Sequence, residues 1–219
     1  MTEDPLWPRA SSWLASAGSE RAEIGLFGVL ASETSISATG ANTTPAEIRV
    51  ALARYSTFSH SQNQDLRQLS FVDFGDSETP DSKDGEERTK ALAKKVSTQS
   101  DLSIALGGDN SITYAVMSGV FGEELSSAGL ITLDAHHDLR DGVSNGSPVR
   151  RLIEAGLPGS SVVQIGINDF SNSADYAKRA KDYGIHVIPR SALRNRSVES
   201  VLSEAVDLLG NKSLHVDID

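Results

Sequence analysis

Acidic and imidazole side chains cluster at the end of one apolar stretch. Residues 130–133 read Leu-Ile-Thr-Leu, a run typical of a buried strand, and Asp134, His136, His137 and Asp138 follow it. Strand alternation predicts Asp134, His136 and Asp138 on one side and His137 on the other. Burying these groups unpaired would be costly, so the cluster is expected either to be exposed at the strand end or to hold a cation. Alone, the pattern fits an ordinary loop equally well.

Two further apolar stretches end in polar residues of the same kind. Residues 102–106 run into Gly-Gly-Asp-Asn-Ser, which includes Asn110, and residues 213–219 end with Asp217 and Asp219 on one face. In open α/β sheets, ligand sites form outside the carboxyl ends of the strands. The repetition at three strand ends therefore favours a metal site over a loop.

The donor types indicate which metal and which reaction to expect. Asp134, Asp138, Asp217 and Asp219 would concentrate negative charge beside the imidazole of His136. Two divalent cations would neutralise that charge, and oxygen-rich ligation without sulfur favours manganese or magnesium over zinc. Two such metals can together activate a water as the nucleophile. The residues therefore predict a two-metal hydrolase.

Composition limits the remaining functional classes. The chain has 219 residues, a formal net charge of −10 and no cysteine. The charge argues against a nucleic-acid or anionic-membrane partner, and the lack of cysteine excludes disulfides and thiolate ligands. No apolar run approaches the roughly 18 residues of a membrane helix, and residues 1–18 do not resemble a secretory signal. A cytoplasmic protein is expected, with an irregular arm at 1–20 and one domain at 21–219.

Strand and helix patterns alternate along that domain. A buried strand is predicted at 23–30, a helix from Thr44-Pro45 with Ile48, Val50, Leu52 and Tyr55 on its apolar side, a strand at 69–74 and a charged loop at 75–85. Helices follow at about 84–98, 111–121, 148–155, 173–183 and 197–209, and strands at 102–106, 129–134, 162–166, 185–188 and 213–218. The alternation predicts an α/β fold, a three-layer α/β/α architecture with a mostly parallel sheet.

The motifs resemble those of the ureohydrolases, the superfamily of arginases, agmatinases and formiminoglutamases. Gly-Gly-Asp-x-Ser, Asp-Ala-His-x-Asp and x-Asp-x-Asp occur in that order, and the resemblance covers about residues 22–219. Formiminoglutamases are the most similar, on the stretches 138–140, 144–148, 164–166 and 169–172 and on Arg150. The resemblance implies an arginase-like fold, two Mn²⁺ per subunit, and hydrolysis of N-formimino-L-glutamate to glutamate and formamide in histidine breakdown.

The resemblance also implies roles for the metal ligands. Asp134 and Asp217 would bridge the metals, His136 and Asp219 would bind the second metal, and Asp138 would bind the first metal and act in catalysis. Most members have histidine where this chain has Asn110. An amide oxygen can bind a hard cation but is a weaker donor than imidazole, so one of the two metal sites is expected to be weak.

Substrate contacts are expected from the loop at 140–147 and from residues after another strand. Arginases and agmatinases have histidine where this chain has Asn145, which favours a formimino substrate over a guanidino one. The predicted substrate-binding residues are Arg140, Ser144, Asn145, Arg150, Ser171 and Asn172. Arginine suits carboxylate recognition, although a solvated helix start is the alternative for Arg150. An agmatinase- or arginase-type hydrolase and a non-catalytic relative are the other interpretations left open.

Members of the superfamily continue beyond the point that matches Asp219. The sequence is therefore expected to be a truncated product or a fragment with little or no activity of its own. For the full-length protein, the resemblance implies a homo-oligomer acting on a small formimino or guanidino molecule.

Overall fold

The computed structural model describes residues 4–16 and 21–219, grouped into two compact units. The first unit contains the described residues up to 33 and residues 37–120, and the second contains residues 34–36 and 121–219. Each unit is built on one four-stranded sheet, and the strands within each sheet are parallel.

The arm predicted to be irregular contains regular structure at residues 10–16, which corrects that expectation there. It forms helix α1 (Ala10–Trp13) and strand β1 (Leu14–Ser16), whereas residues 1–3 and 17–20 of the predicted arm lie outside the described residues. The Trp13 ring lies 4.6 Å from that of Phe71 between centroids, and its Nε1 donates to the Leu69 carbonyl at 2.7 Å. Apolar burial with a satisfied indole N–H holds this segment on the sheet.

The first sheet has the order β1-β5-β2-β6. Its other strands are β2 (Ala22–Val29), β5 (Phe71–Ser77) and β6 (Ser100–Leu106), and its helices are α2 (Thr44–Leu52), α3 (Lys83–Gln99) and α4 (Ile112–Phe121). A small antiparallel hairpin, β3 (Phe58–Ser59) with β4 (Gln64–Asp65), lies between α2 and β5 in the sequence. Short 3₁₀ helices cover Ala41–Thr43 and Leu66–Gln68.

Two glycines of β2 show that helices cover both faces of this sheet. A Cβ on Gly25 would come within 2.7 Å of Val96 in α3, and one on Gly28 within 2.8 Å of Pro45 in α2. Glycine therefore permits close helix–sheet approach on either side. The core on the α3 side contains Phe27 and Val29 with Ala93, Val96 and Val116.

Helix α2 begins at Thr44 as predicted, but its predicted apolar side is wrong. Ile48, Val50 and Tyr55 are exposed. Arg49 is turned inward instead, because its guanidinium donates to both carboxylate oxygens of Asp73, at 2.6 and 2.8 Å, and to Asp76 at 2.8 Å. Ion pairing, which periodicity cannot detect, sets the orientation of this helix.

The second sheet has the order β10-β7-β8-β9. Its strands are β7 (Gly129–Leu133), β8 (Val162–Ile167), β9 (His186–Pro189) and β10 (Leu214–Ile218), and its helices are α5 (Pro148–Glu154), α6 (Ala174–Tyr183) and α7 (Val198–Leu209). Further 3₁₀ helices cover Gly122–Ser127, Gly159–Ser161 and Arg190–Arg194. On one face α7 packs against the sheet, and the core there comprises Ile131, Val163, Ile165, Ile188, Val201, Ala205 and Leu209.

Serine caps explain where two helices of the second unit begin. The hydroxyls of Ser173 and Ser197 accept from the backbone N–H groups of Tyr176 and Ser200, three residues on.

The α/β class and the parallel strands are confirmed. Among residues 4–16 and 21–219, no helix is both long enough and apolar enough to cross a membrane.

Candidate metal and substrate site

The carboxyl ends of β7, β8 and β10 meet at one edge of the second sheet. Asp217 is paired in register with Thr132, and the Asp219 N–H donates to the Leu133 carbonyl at 3.2 Å. On the other side the Asp134 N–H donates to the Ile165 carbonyl at 3.0 Å. Backbone pairing thus brings Asp134 and Asp219 to the same edge, where both line a cavity of about 760 Å³.

Asp134 carries a buried carboxylate that is only half satisfied. Its Oδ1 accepts from the His136 backbone N–H at 2.9 Å and lies 3.2 Å from His136 Nδ1. Its Oδ2 is buried with no hydrogen-bond partner, and the side chain is 3 % exposed. A buried anionic oxygen without a donor costs free energy unless a cation compensates it. This oxygen fits a metal ligand.

The other predicted ligands of this unit lie nearby but do not converge. Asp138 is buried, Oδ2 of Asp217 is also buried, and the His136 side chain is 56 % exposed. Within the described ranges, 4–16 and 21–219, no three His, Asp or Glu side chains are close enough to hold a metal ion. The donor types therefore fit a hard cation, but the side chains in their present rotamers do not form a complete metal site.

Asn110 belongs to the first unit. It is buried after the end of β6, and its Oδ1 accepts from the Thr113 hydroxyl at 3.2 Å. Its role as a metal ligand stays a prediction from the sequence.

The His137 ring contacts Gln164 of strand β8, and its facing away from the carboxylates stays a prediction. It is buried, and its Nδ1 lies 2.7 Å from Oε1 of Gln164. Its backbone N–H donates to Oδ1 of Asn172 at 3.0 Å, and its carbonyl accepts from Nε2 of Gln164 at 2.9 Å. His137 is therefore held by strand β8 and the loop that follows it.

Several predicted substrate residues line a second cavity of about 220 Å³ in this unit. Its walls include His136, Asp138, Arg140, Asn145, Ser171, Asn172 and Asp219. Asn145 also has a local role, since its Oδ1 accepts from the Ile36 N–H at 3.2 Å and its N–H donates to the Thr34 carbonyl at 3.3 Å. Ser144 and Arg150 are not among its lining residues.

Arg150 uses its guanidinium to hold the loop that follows Asp138. Nε donates to the Arg140 carbonyl at 2.6 Å, Nη2 donates to the Gly142 carbonyl, and Nη1 pairs with Glu154. Its side chain is 12 % exposed, so the alternative of a freely solvated helix start is wrong. Its binding of substrate stays a prediction, and its observed contacts are to the protein.

Sequence reasoning missed two residues that support this site. Arg179 of α6 donates to the Leu139 carbonyl at 2.7 Å and to Asp141 at 2.8 Å, and the pairing lowers the pKa of the Asp141 carboxyl. Nothing in the charged sequence of α6 distinguishes it. Gln164 did leave a signal, because it is an amide in the otherwise apolar run Val-Val-Gln-Ile-Gly-Ile of β8.

These features define an α/β protein with a carboxylate-rich site at the ends of parallel strands. The family model described as the arginase family matches residues 22–219. The chain therefore belongs to the arginase family. It is 39 % identical over 191 residues to a formimidoylglutamase of Halalkalibacterium halodurans, covering 83 % of this chain and 60 % of that protein. It is 30 % identical over 207 residues to that of Bacillus subtilis, covering 89 % and 65 %.

Solved structures of formiminoglutamases have the same fold as this chain. The crystal structure of Bacillus subtilis formimidoylglutamase superposes with a TM-score of 0.91 at 26 % identity, covering 100 % of this chain and 72 % of that one. That of Trypanosoma cruzi formiminoglutamase with two Mn²⁺ has a TM-score of 0.83 at 25 % identity, covering 93 % and 72 %. The chain thus spans 60 % and 65 % of the length of the two curated relatives above.

Proposed function

We propose that this protein is a manganese-dependent hydrolase of the carbon–nitrogen bond of a linear amidine, with N-formimino-L-glutamate as its substrate. The observation that supports a metal site is the buried, unpartnered Oδ2 of Asp134, which lies at a strand end with three further aspartates. The substrate class rests on the 39 % identity to a formimidoylglutamase.

The residues proposed to hold manganese are Asp134, His136, Asp138, Asp217 and Asp219. Bound manganese would polarise the substrate and lower the pKa of a water. His136 is exposed, and its ring contacts Asp134 through Nδ1, so the ring is able to turn. Carboxylates dominate this set, which matches the preference of manganese for oxygen donors.

The substrate is proposed to occupy the smaller cavity beside these ligands. Asp138 would act as the catalytic carboxylate there, accepting a proton from the attacking water. Arg140 is an exposed cation on the wall of the cavity and would attract a substrate carboxylate. Asn145, Ser171 and Asn172 would contribute to its polar wall, and Ser144 and Arg150 would act through the loop that carries Arg140.

The test combines a manganese titration with parallel assays on formiminoglutamate, agmatine and arginine. Asp134→Asn keeps an oxygen that can accept from the His136 N–H and removes the charge. We expect it to weaken Mn²⁺ binding by at least the roughly 100-fold that loss of an outer-shell partner can cost, since it deletes a direct ligand charge, and to leave the metal-free protein at least as stable. Asp182→Asn is the matched control, because that carboxylate pairs with Lys178 on the exposed surface of α6, away from the proposed ligand set.

Each outcome decides one part of the proposal. Turnover of formiminoglutamate by the whole protein above that of the two guanidines, dependent on Mn²⁺ and lost in Asp134→Asn, is the expected result. Faster hydrolysis of agmatine or arginine would contradict the substrate. Equal Mn²⁺ affinity in Asp134→Asn and the parent protein would contradict the metal site, and metal binding without turnover of any amidine would support a non-catalytic relative.

A further inference from the structure

The backbone that carries three of the proposed ligands is strained. Asp138 has a φ of 53°, in the left-handed region that a non-glycine residue enters at a cost of about 1–2 kcal/mol. Such conformations persist only where the surrounding structure over-determines them. The segment 134–138 leaves the sheet at β7, so contacts beyond the sheet must hold it.

The Asn168 N–H donates to the Ala135 carbonyl at 3.1 Å and the Arg150 N–H to the Asp138 carbonyl at 3.2 Å, and two amide side chains add further contacts. Asn172 spans two residues of the segment, since its Oδ1 accepts from the His137 N–H at 3.0 Å and its Nδ2 donates to the Ala135 carbonyl at 2.9 Å. Gln164 contacts His137 at two points: its Nε2 donates to the His137 carbonyl at 2.9 Å, and its Oε1 lies 2.7 Å from His137 Nδ1. The amide pair (Gln164 and Asn172) thus continues the pairing of the sheet past the end of β7.

The orientation of each amide follows from its partners. A carbonyl only accepts, so the Gln164 atom beside the His137 carbonyl is the NH₂ group and the atom beside Nδ1 is the oxygen. His137 therefore carries a proton on Nδ1 and donates it to Gln164. The backbone N–H of His137 only donates, which fixes Asn172 in the same way.

We propose that Gln164 and Asn172 are positioning residues that hold the backbone of 135–138 so that Asp134, His136 and Asp138 face the metal edge. Gln164 is fully buried, and its functional groups are directed to His137. Asn172 contacts backbone with both ends of its amide, which gives it a positioning role in addition to its place in the cavity wall. The metal part of this inference rests on the proposed function.

The first test is amide hydrogen exchange in the metal-free protein. In Asn172→Leu the His137 N–H loses its acceptor, and its exchange relative to the amides of β8 should accelerate on the order of 10-fold. Asn172→Asp keeps that acceptor and should retain most of the protection. Leu209→Ala, a core truncation on the opposite face of the sheet, controls for general destabilisation and should leave the relative exchange unchanged.

The second test is Mn²⁺ affinity by calorimetry at a temperature where every variant is folded. We expect Gln164→Met and Asn172→Leu to weaken binding by about 10- to 100-fold, the effect of losing partners that orient metal ligands. Gln164→Glu, which still accepts from Nδ1–H, should lose less, and Leu209→Ala should bind as the parent does.

Unchanged relative exchange at His137 in Asn172→Leu would overturn the positioning role whether or not the protein binds metal. Faster exchange together with unchanged Mn²⁺ affinity would overturn the link to the ligands. A parent protein that binds no Mn²⁺ would instead refute the proposed function, and the exchange comparison would still decide the positioning role.

Discussion

Replacing Arg150 by alanine separates two roles of this arginine that predict opposite results. If its guanidinium holds the loop after Asp138, the main loss is stability; if it binds a substrate carboxylate, the main change is a higher KM with kcat nearly unchanged. The contacts to the Arg140 and Gly142 carbonyls favour the first role.

The magnitude follows from those contacts. A hydrogen bond from a charged donor contributes about 1.5–3 kcal/mol, and the lower end applies here because the accepting carbonyls belong to exposed residues that water can reach. The pair with the half-exposed Glu154 adds about 0.3–0.5 kcal/mol. Arg150→Ala should therefore lower the free energy of unfolding by about 3 kcal/mol. At about 2–4 °C per kcal/mol for a chain of this size, Tm should fall by about 6–12 °C.

Urea and thermal unfolding of three variants provide the assay. Glu154→Ala removes only the surface pair and should cost no more than about 0.5 kcal/mol. Arg150→Lys cannot reach both carbonyls with one compact ammonium, so it should recover less than half of the loss. A Tm for Arg150→Ala within about 2 °C of the parent, with KM for formiminoglutamate raised at least tenfold, would refute this reasoning in favour of substrate binding.

Two further predictions concern ion pairs. Arg179 lowers the folded pKa of Asp141 below its usual value near 3.8. The stability from this pair is thus complete above about pH 4 and is lost as the pH falls through the folded pKa. NMR titration should find the Asp141 pKa raised to its usual range in Arg179→Gln, and an unchanged value would contradict the pairing. Burial raises the pKa of Asp73, but bonds from Arg49 and the Gly75 N–H lower it by more. Arg49→Met should therefore cost about 2–3 kcal/mol in urea unfolding, less than a fully buried pair because both side chains are 20 % exposed. Adding Asp73→Asn should restore part of that loss. Strictly additive changes in the free energy of unfolding for the two substitutions would argue against coupling between Arg49 and Asp73.

The alternation of strands and helices was predictable from the sequence because it depends on local patterns. Buried β-branched runs, Thr44-Pro45 at a helix start and serine caps act within a few residues, and the observed bounds of most elements lie within about two residues of the predicted ones. The position of Asp134 and Asp219 at one edge of the second sheet was predictable for a related reason, since the carboxyl ends of parallel strands meet at one edge.

Contacts between residues distant in sequence were not predictable in this way. The sequence pattern put Ile48 and Val50 on the buried side of α2, whereas the pairing of Arg49 with Asp73, 24 residues away, turned the helix otherwise. Arg150 suggested carboxylate recognition by residue type, but tertiary structure directs its donors to backbone carbonyls.

The sequence alone was enough to predict that residues with metal-binding side chains end parallel strands, because residue type and strand periodicity are local properties. How the segment 134–138 is held could be seen only in the folded structure. His137 and Gln164 are 27 residues apart, and Ala135 and Asn172 are 37 apart. Hydrogen bonds between such positions depend on the register of β7 with β8, which forms only when the two strands pair in the folded sheet.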